Sequence, residues 1–141
     1  MKPKSIVVSI LIFTLTFIAA ACGKSSSSVA DKAVKSAKAG DLNVTIFSAT
    51  GELKKGDNDL MVAFTDATGQ PVDVGAASLN IHMASMGTMA EMNNKALLTT
   101  TETPGKYRAQ VNIEMGGTWE AQVKYQGSHG SGQTNMTVQA K

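Results

Sequence analysis

The stretch 106-KYRAQVNIEMGGTWEAQVKY-125 decides the fold, because apolar and polar residues alternate along both of its halves. Val111 and Ile113 fall on one face of the first half, and Trp119 and Val123 fall on one face of the second half. Strict alternation is typical of a half-buried β-strand. The two glycines between the halves are a turn signal, so the stretch predicts a β-hairpin.

Weaker alternation on either side of this stretch predicts further strands. They are 41-DLNVTIF-47, 59-DLMVAFT-65, 78-SLNIHM-83, a short strand at 96–101 and a last strand that contains Met136 and Val138. Sequences rich in glycine, proline and aspartate separate them and indicate turns. About seven short strands in about 100 residues predict an all-β fold, an immunoglobulin-like antiparallel β-sandwich. Trp119 and Met136 are expected in its core.

The first 21 residues have the pattern of a secretory signal peptide. Lys2 and Lys4 precede an apolar run, and small residues, Ala19 to Ala21, precede Cys22. This order of positive charge, apolar residues and small residues is typical of export signals. We therefore predict a signal peptide over 1–21.

Cys22 is the only cysteine in the chain, so no intrachain disulfide can form. Its position after the small residues resembles the lipobox of bacterial lipoproteins, in which such a cysteine is lipidated. Ala19 to Ala21 also fit an ordinary signal peptidase site, which leaves simple secretion as the alternative. In a bacterium with two membranes, Gly23 and Lys24 after the cysteine favour an anchor in the outer membrane, on its periplasmic side.

The segment 23-GKSSSSVADKAVKSAKAG-40 is rich in serine, alanine and lysine. Such a composition buries too little apolar surface to offset the entropy lost on ordering. The sequence therefore predicts three parts. They are the signal peptide 1–21, an anchor cysteine with a flexible tether over 22–40, and one β-sandwich domain over 41–141.

The charge of the exported part argues against one class of partner. Without Lys2 and Lys4, 11 of the 13 Lys+Arg residues remain, and they balance the 11 Asp+Glu residues. Nucleic-acid binding depends on neutralising phosphates. We therefore expect no nucleic-acid partner, whereas a lipidated Cys22 would make the membrane a partner.

Three motifs follow one another along the predicted strands. They are the turn 66-DATGQP-71, the loop 86-MGTM-89, and 104-PGKY-107 leading to 115-MGGTW-119. Their order resembles that of the YtkA-like/FixH-like domain family over 41–138. The resemblance implies a small extracytoplasmic β-sandwich in a copper-related context, near oxidase-assembly or cation-efflux complexes of the membrane.

Methionine recurs at every third position of the segment 82-HMASMGTMAEMNN-94. Four of the eight methionines of the chain lie here: Met83, Met86, Met89 and Met92. Thioether sulfur is soft and suits Cu(I) far better than zinc or magnesium. The segment therefore predicts a Cu(I) site.

Ligands three residues apart converge only in a tight turn or a 3₁₀-like loop, because residues i and i+3 of a flat strand point to opposite faces. The site hypothesis therefore requires Gly87 to turn the chain. The predicted ligands are Met86, Met89 and Met92, with His82 or Met83 completing the shell and Met115 as an added ligand from the neighbouring strand end. Met83 also continues the core alternation of its strand.

Two interpretations of the same methionines that involve no metal remain open. They would serve as a flap that seals one end of the sandwich, since methionine fills irregular gaps. They would equally form an apolar patch, in which case the protein is a non-metal accessory module that docks on a membrane complex. Catalysis is not expected, because Cys22 lies in the anchor and His82 and His129 have no metal-ligand spacing.

Overall fold

The computed structural model describes residues 32–141. The predicted signal peptide 1–21, the anchor Cys22 and the first part of the tether lie outside these residues. Nine strands follow one another in the described range: β1 (Lys32–Ala39), β2 (Leu42–Ser48), β3 (Gly56–Thr65), β4 (Ala76–Met83), β5 (Met92–Lys95), β6 (Leu97–Thr100), β7 (Lys106–Ile113), β8 (Gly117–Gly127) and β9 (Gly130–Ala140). No helix in this range is long and apolar enough to cross a membrane.

The strands form two antiparallel sheets, one with the order β1-β2-β3-β7-β6 and the other with the order β5-β4-β8-β9. The buried residues of both sheets form one core cluster between them. The predicted all-β sandwich is therefore confirmed, with two more strands than the roughly seven expected for this class. The additional strands are β1 and β5.

The predicted hairpin over 106–125 is wrong, although both of its strands exist. β7 pairs with β3 and β6 in the first sheet, whereas β8 pairs with β4 and β9 in the second. The segment around Gly116 and Gly117 therefore carries the chain from one sheet to the other. Alternation identifies the buried face of a strand but not its neighbour, so two strands that face one core fit either arrangement.

The predicted tether ends earlier than expected, because residues 32–39 form a strand of the domain. β1 pairs with β2 from Lys32 opposite Ser48 to Ala39 opposite Leu42. The prediction from composition failed because pairing with β2 satisfies the backbone donors and acceptors of this segment and needs few bulky side chains. Ala39 is the one residue of β1 that is fully buried.

The core is built on large side chains from both sheets. Trp119 and Phe64 are the bulkiest fully buried residues. Tyr107 and Tyr125 contact Phe64 edge to face, with ring centroids 5.6 Å apart in each pair. Met136 is buried as well. The predicted core positions of Trp119 and Met136 are confirmed.

The two ends of the sandwich carry different side chains. We call the end that holds Met83, Met92 and Met115 the methionine end, because β4 finishes there, β5 begins there and β7 finishes just before Met115. β1 also begins toward this end, since Lys32 lies opposite Ser48, the last residue of β2. The chain therefore enters the described domain from the methionine side.

Candidate metal site at the methionine hairpin

The segment 83–92, which we call the methionine hairpin, joins β4 to β5 and contains two cross-strand pairs of methionines. Met83 lies opposite Met92 in the last pair of the β4–β5 ladder. Met86 lies opposite Met89 in an isolated antiparallel bridge at the tip. Residues directly opposite each other in an antiparallel pair share a face. The methionines therefore meet across the hairpin and not along a 3₁₀-like loop.

The tip is a tight two-residue turn at Gly87 and Thr88. The Met86 amide donates to the Met89 carbonyl at 3.1 Å, and the Met89 amide donates to the Met86 carbonyl at 2.9 Å. Gly87 has a φ of 58°, and no residue other than glycine has a positive φ in the described chain. Glycine with positive φ at the first turn position is the pattern of a type II′ turn. Gly87 thus turns the chain as the site hypothesis requires.

The two methionine pairs differ in exposure. Met86 is 58% exposed and Met89 is 40% exposed, whereas Met83 is only 5% exposed. Met92 is half-buried and packs against the core. Residues 84–85 and 90–91 lie outside the strands and separate the pairs. The predicted ligands are therefore divided into an exposed pair at the tip and an apolar pair at the base.

Met83 and Met115 belong to the same end of the sandwich. A Cβ atom placed on Gly117 would lie 3.3 Å from the methyl carbon of Met83. Met115, two residues earlier, is half-buried against the core, and its carbonyl accepts a hydrogen bond from Trp119 Nε1 at 3.1 Å. Met115 lies at a sandwich end, as predicted, and its side chain packs against the edge of the core.

His82 lies on the outer face of β4, where its ring has a fixed partner. Its Nδ1 lies 3.1 Å from Oδ1 of Asn93, the residue opposite it on β5. Because that oxygen also accepts from Asn80 Nδ2 at 3.0 Å, it acts as an acceptor and the His82 Nδ1 carries the hydrogen. In the neutral ring, Nε2 then keeps its lone pair, which is the arrangement of a metal-binding imidazole.

A polar network surrounds this histidine on the same outer face. Asn80 Nδ2 also donates to Gln122 Oε1 at 3.1 Å, and Gln122 Nε2 donates to Glu120 Oε1 at 2.7 Å. Glu120 lies directly opposite His82 on β8. Sequence reasoning missed this network. The spacing of two between Asn80 and His82 could have placed both side chains on one face of a strand. Their partners on β5 and β8 depend on strand register, which the sequence does not specify.

Three polar residues discussed next, Asp73, Tyr107 and His129, lie at the end of the sandwich opposite the methionines. Across residues 32–141, no three His, Cys, Asp or Glu side chains are grouped so as to hold a metal ion. The backbone amide of Gly75 and then the hydroxyl of Tyr107 donate to Asp73 and lower the pKa of its carboxyl group. Burial raises the pKa of Tyr107, and the bond to Asp73 adds to that effect. His129 lies at the tip between β8 and β9, also at this opposite end.

A family model described as YtkA-like matches residues 36–124. The match begins within β1 and ends within β8, so it includes the methionine hairpin and the strands that hold it. No curated protein matches the chain at a significant level.

Two solved structures resemble the fold. A DUF4426 family protein from Pseudomonas aeruginosa PAO1 has a TM-score of 0.51 and 16% identity, and the similarity covers 74% of this chain and 94% of that one. PcoC, a methionine-rich copper resistance protein from Escherichia coli, has a TM-score of 0.44 and 15% identity, with 59% of this chain and 80% of that one covered.

Proposed function

Because the chain belongs to the YtkA-like family, we propose that it is an exported β-sandwich module that binds or delivers Cu(I) through the methionine hairpin. Lipidation of Cys22 would hold it in the cell envelope, at the periplasmic side of the outer membrane in a bacterium with two membranes. A copper-handling, oxidase-assembly or efflux complex of the membrane is the kind of partner that the family resemblance implies.

The observation that carries the proposal is the exposed pair Met86 and Met89. Their large apolar side chains lie at a hairpin tip and are not buried in the core. The one other large apolar side chain that is exposed in the described chain is Leu97. The two methionines exchange backbone hydrogen bonds, and Cα atoms in such a pair are about 5.5 Å apart. Methionine has three rotatable bonds, so both sulfurs can reach one ion between them.

A soft ion fits these donors best. Two neutral thioethers suit Cu(I), which accepts soft ligands and low coordination. His82 lies on the outer face of β4, four residues before Met86 along the chain, and its Nε2 would supply a third donor. Met92 at the base of the hairpin is the alternative third ligand, with Met83 and Met115 behind it.

The test is competition for Cu(I) against a chromogenic chelator. We compare wild type with the triple variant Met86→Leu/Met89→Leu/Met92→Leu, because leucine keeps apolar bulk and removes sulfur. Loss of the ligands should weaken binding beyond the roughly 10–100-fold typical for outer-shell partners. Met61→Leu is the matched control, since Met61 is half-buried in the other sheet. Equal competition by wild type and the triple variant would exclude the hairpin as a Cu(I) site.

The alternative is a non-metal accessory module that docks on a membrane complex. The exposure of Met86 and Met89 supports it as well, because an apolar hairpin tip is a suitable contact for a protein partner. Leucine at both positions should preserve such docking, whereas glutamine should abolish it. A pull-down from solubilised membranes with the leucine and glutamine variants therefore separates the two functions.

A further inference from the structure

We infer that Met86 and Met89 form a paired oxidation site, at which peroxide converts both thioethers to sulfoxides and thereby switches off soft-metal binding. The effect on metal binding rests on the proposed function. The selectivity of oxidation does not, since it follows from the exposure of the side chains alone.

Exposure singles out these two methionines within the described chain. Oxidation of methionine depends on access of the oxidant to sulfur. Met86 and Met89 are the exposed members of the set, whereas Met136 is 2% exposed and Met83 is enclosed beside Gly117. Three others, Met61, Met92 and Met115, are half-buried. The hairpin tip is therefore where an oxidant first meets thioether sulfur.

The chemistry is an oxygen transfer that needs only peroxide as co-reactant. The sulfur lone pair attacks one peroxide oxygen, an S–O bond forms and the O–O bond breaks. The sulfur loses two electrons and becomes a sulfoxide, while the peroxide is reduced to water. Each methionine consumes one peroxide and gains one oxygen, about 16 Da.

The fold around the tip tolerates the product. The turn at Gly87 is closed by backbone hydrogen bonds between Met86 and Met89, which involve no side-chain atom. A polar sulfoxide at either position stays in contact with water. At Met83, by contrast, it would place a polar group in the core, which costs stability unless it is hydrogen-bonded. Oxidation at the tip thus changes ligand chemistry and leaves the sandwich intact.

The change in ligand chemistry is large for a soft ion. A sulfoxide presents oxygen, a hard donor, in place of the thioether sulfur that Cu(I) prefers. Because Met86 and Met89 face each other, a single oxidation already removes one half of the pair. Methionine sulfoxide reductases reverse the reaction, so the site can be restored.

The experiment exposes the metal-free protein, without the predicted signal peptide 1–21 and its Met1, to limiting hydrogen peroxide and locates the added oxygens by fragment-ion mass spectrometry. We expect Met86 and Met89 to oxidise on the order of tenfold faster than Met83 and Met136. The thermal unfolding temperature should be unchanged after the first two oxygens are added. Oxidation of Met61, Met92 or Met115 at the same rate as Met86 would overturn the inference.

Two comparisons sharpen the result. Met86→Leu/Met89→Leu should lose the rapid uptake of two oxygens, whereas Met61→Leu should keep it. Retained rapid uptake in the double variant would overturn the inference.

A third arm separates the modification from the proposed function. Ag(I), a soft ion that peroxide does not oxidise, should protect Met86 and Met89 in chloride-free buffer, and the doubly oxidised protein should no longer compete for Cu(I). Selective oxidation that Ag(I) does not slow would contradict both the metal site and the switch, while the modification site itself would stand.

Discussion

His82 and Asn93 link the methionine hairpin to the outer face of the second sheet. The Nδ1–H of His82 is held by Asn93 Oδ1, which leaves Nε2 as the nitrogen that can bind an ion. Asn93 contacts the ring and is not one of the predicted ligands, so its role in the proposed site is to position the histidine. Removal of this contact should therefore weaken binding without removing a ligand.

We expect Asn93→Ala to lower the affinity for Cu(I) by about tenfold, as is common when a partner of a metal-binding histidine is lost. Chelator competition with purified variants measures the change. Asn135→Ala is the matched control, because Asn135 lies on the same face and donates to Glu120, not to His82. An unchanged affinity of Asn93→Ala beside a weakened His82→Ala would show that the ring needs no positioning.

Phase along a strand predicts which side chains are buried, but not which ones meet across strands. Met83, Trp119 and Met136 were predicted in the core from alternation, and all three are buried. The contact of His82 with Asn93 depends on the register between β4 and β5. Register is fixed by the turn between the strands, so it was not readable from either strand alone.

At the scale of single elements, the turn at the hairpin tip can be compared with another turn that contains a glycine of positive φ. Gly87 and Gly69 both have positive φ, 58° and 85°, and a Cβ atom at either would meet nothing within 4 Å. Alanine at either position should cost about 1–3 kcal/mol through backbone conformation alone. Gly69 lies in the turn after β3, at the opposite end from the methionines.

We therefore expect both Gly87→Ala and Gly69→Ala to lower the free energy of unfolding, measured by urea titration. Only Gly87→Ala should also weaken Cu(I) binding, because it disturbs the pairing of Met86 with Met89. A loss of binding in both variants, or in neither, would mean that the geometry of the tip does not set the affinity.

The turn after β3 also predicts how stability depends on pH. The Thr68 side chain and then the backbone amide of Gln70 donate to Asp66 and lower the pKa of its carboxyl group below the usual 3.8. A carboxylate with a lowered pKa in the folded state stabilises the protein above its unfolded pKa. That contribution is lost as the pH falls through the folded pKa.

Urea midpoints of wild type and Asp66→Asn should accordingly converge as the pH is lowered below about 4, since the variant has no proton to bind at this position. The variant keeps an acceptor oxygen for Thr68, so the turn itself should persist. A difference between the two proteins that stays constant with pH would show that Asp66 makes no pH-dependent contribution.

At the scale of the whole molecule, the fold class followed from the sequence and the strand partners did not. Two-residue alternation in β7 and β8 predicted two half-buried strands, and both are present. Their placement in different sheets depends on the packing of the entire sandwich. β1 was not predicted as a strand for a related reason, because its pairing with β2 uses backbone groups and few apolar side chains.

The domain boundary can be tested by truncation. A chain that starts at residue 41 lacks β1, removes the buried Ala39 and exposes the edge of β2. Bare strand edges promote aggregation. We expect it to have a lower urea midpoint than a chain that starts at residue 32, and to self-associate in size-exclusion chromatography. Equal stability of the two chains would show that β1 does not contribute to the stability of the domain and would support the predicted tether over 22–40.

Because β1 begins at the methionine end, the segment between Cys22 and Lys32 limits how far the methionine hairpin can lie from Cys22. Lys32 lies ten positions after Cys22, and a chain of that length spans at most about 35 Å. If Cys22 is lipidated, this short segment would hold the methionine hairpin, the proposed Cu(I) site, within a few nanometres of the bilayer. Exchange of the ion would then take place with a membrane-embedded acceptor close to the lipid surface, and not with a soluble carrier met at random in the compartment.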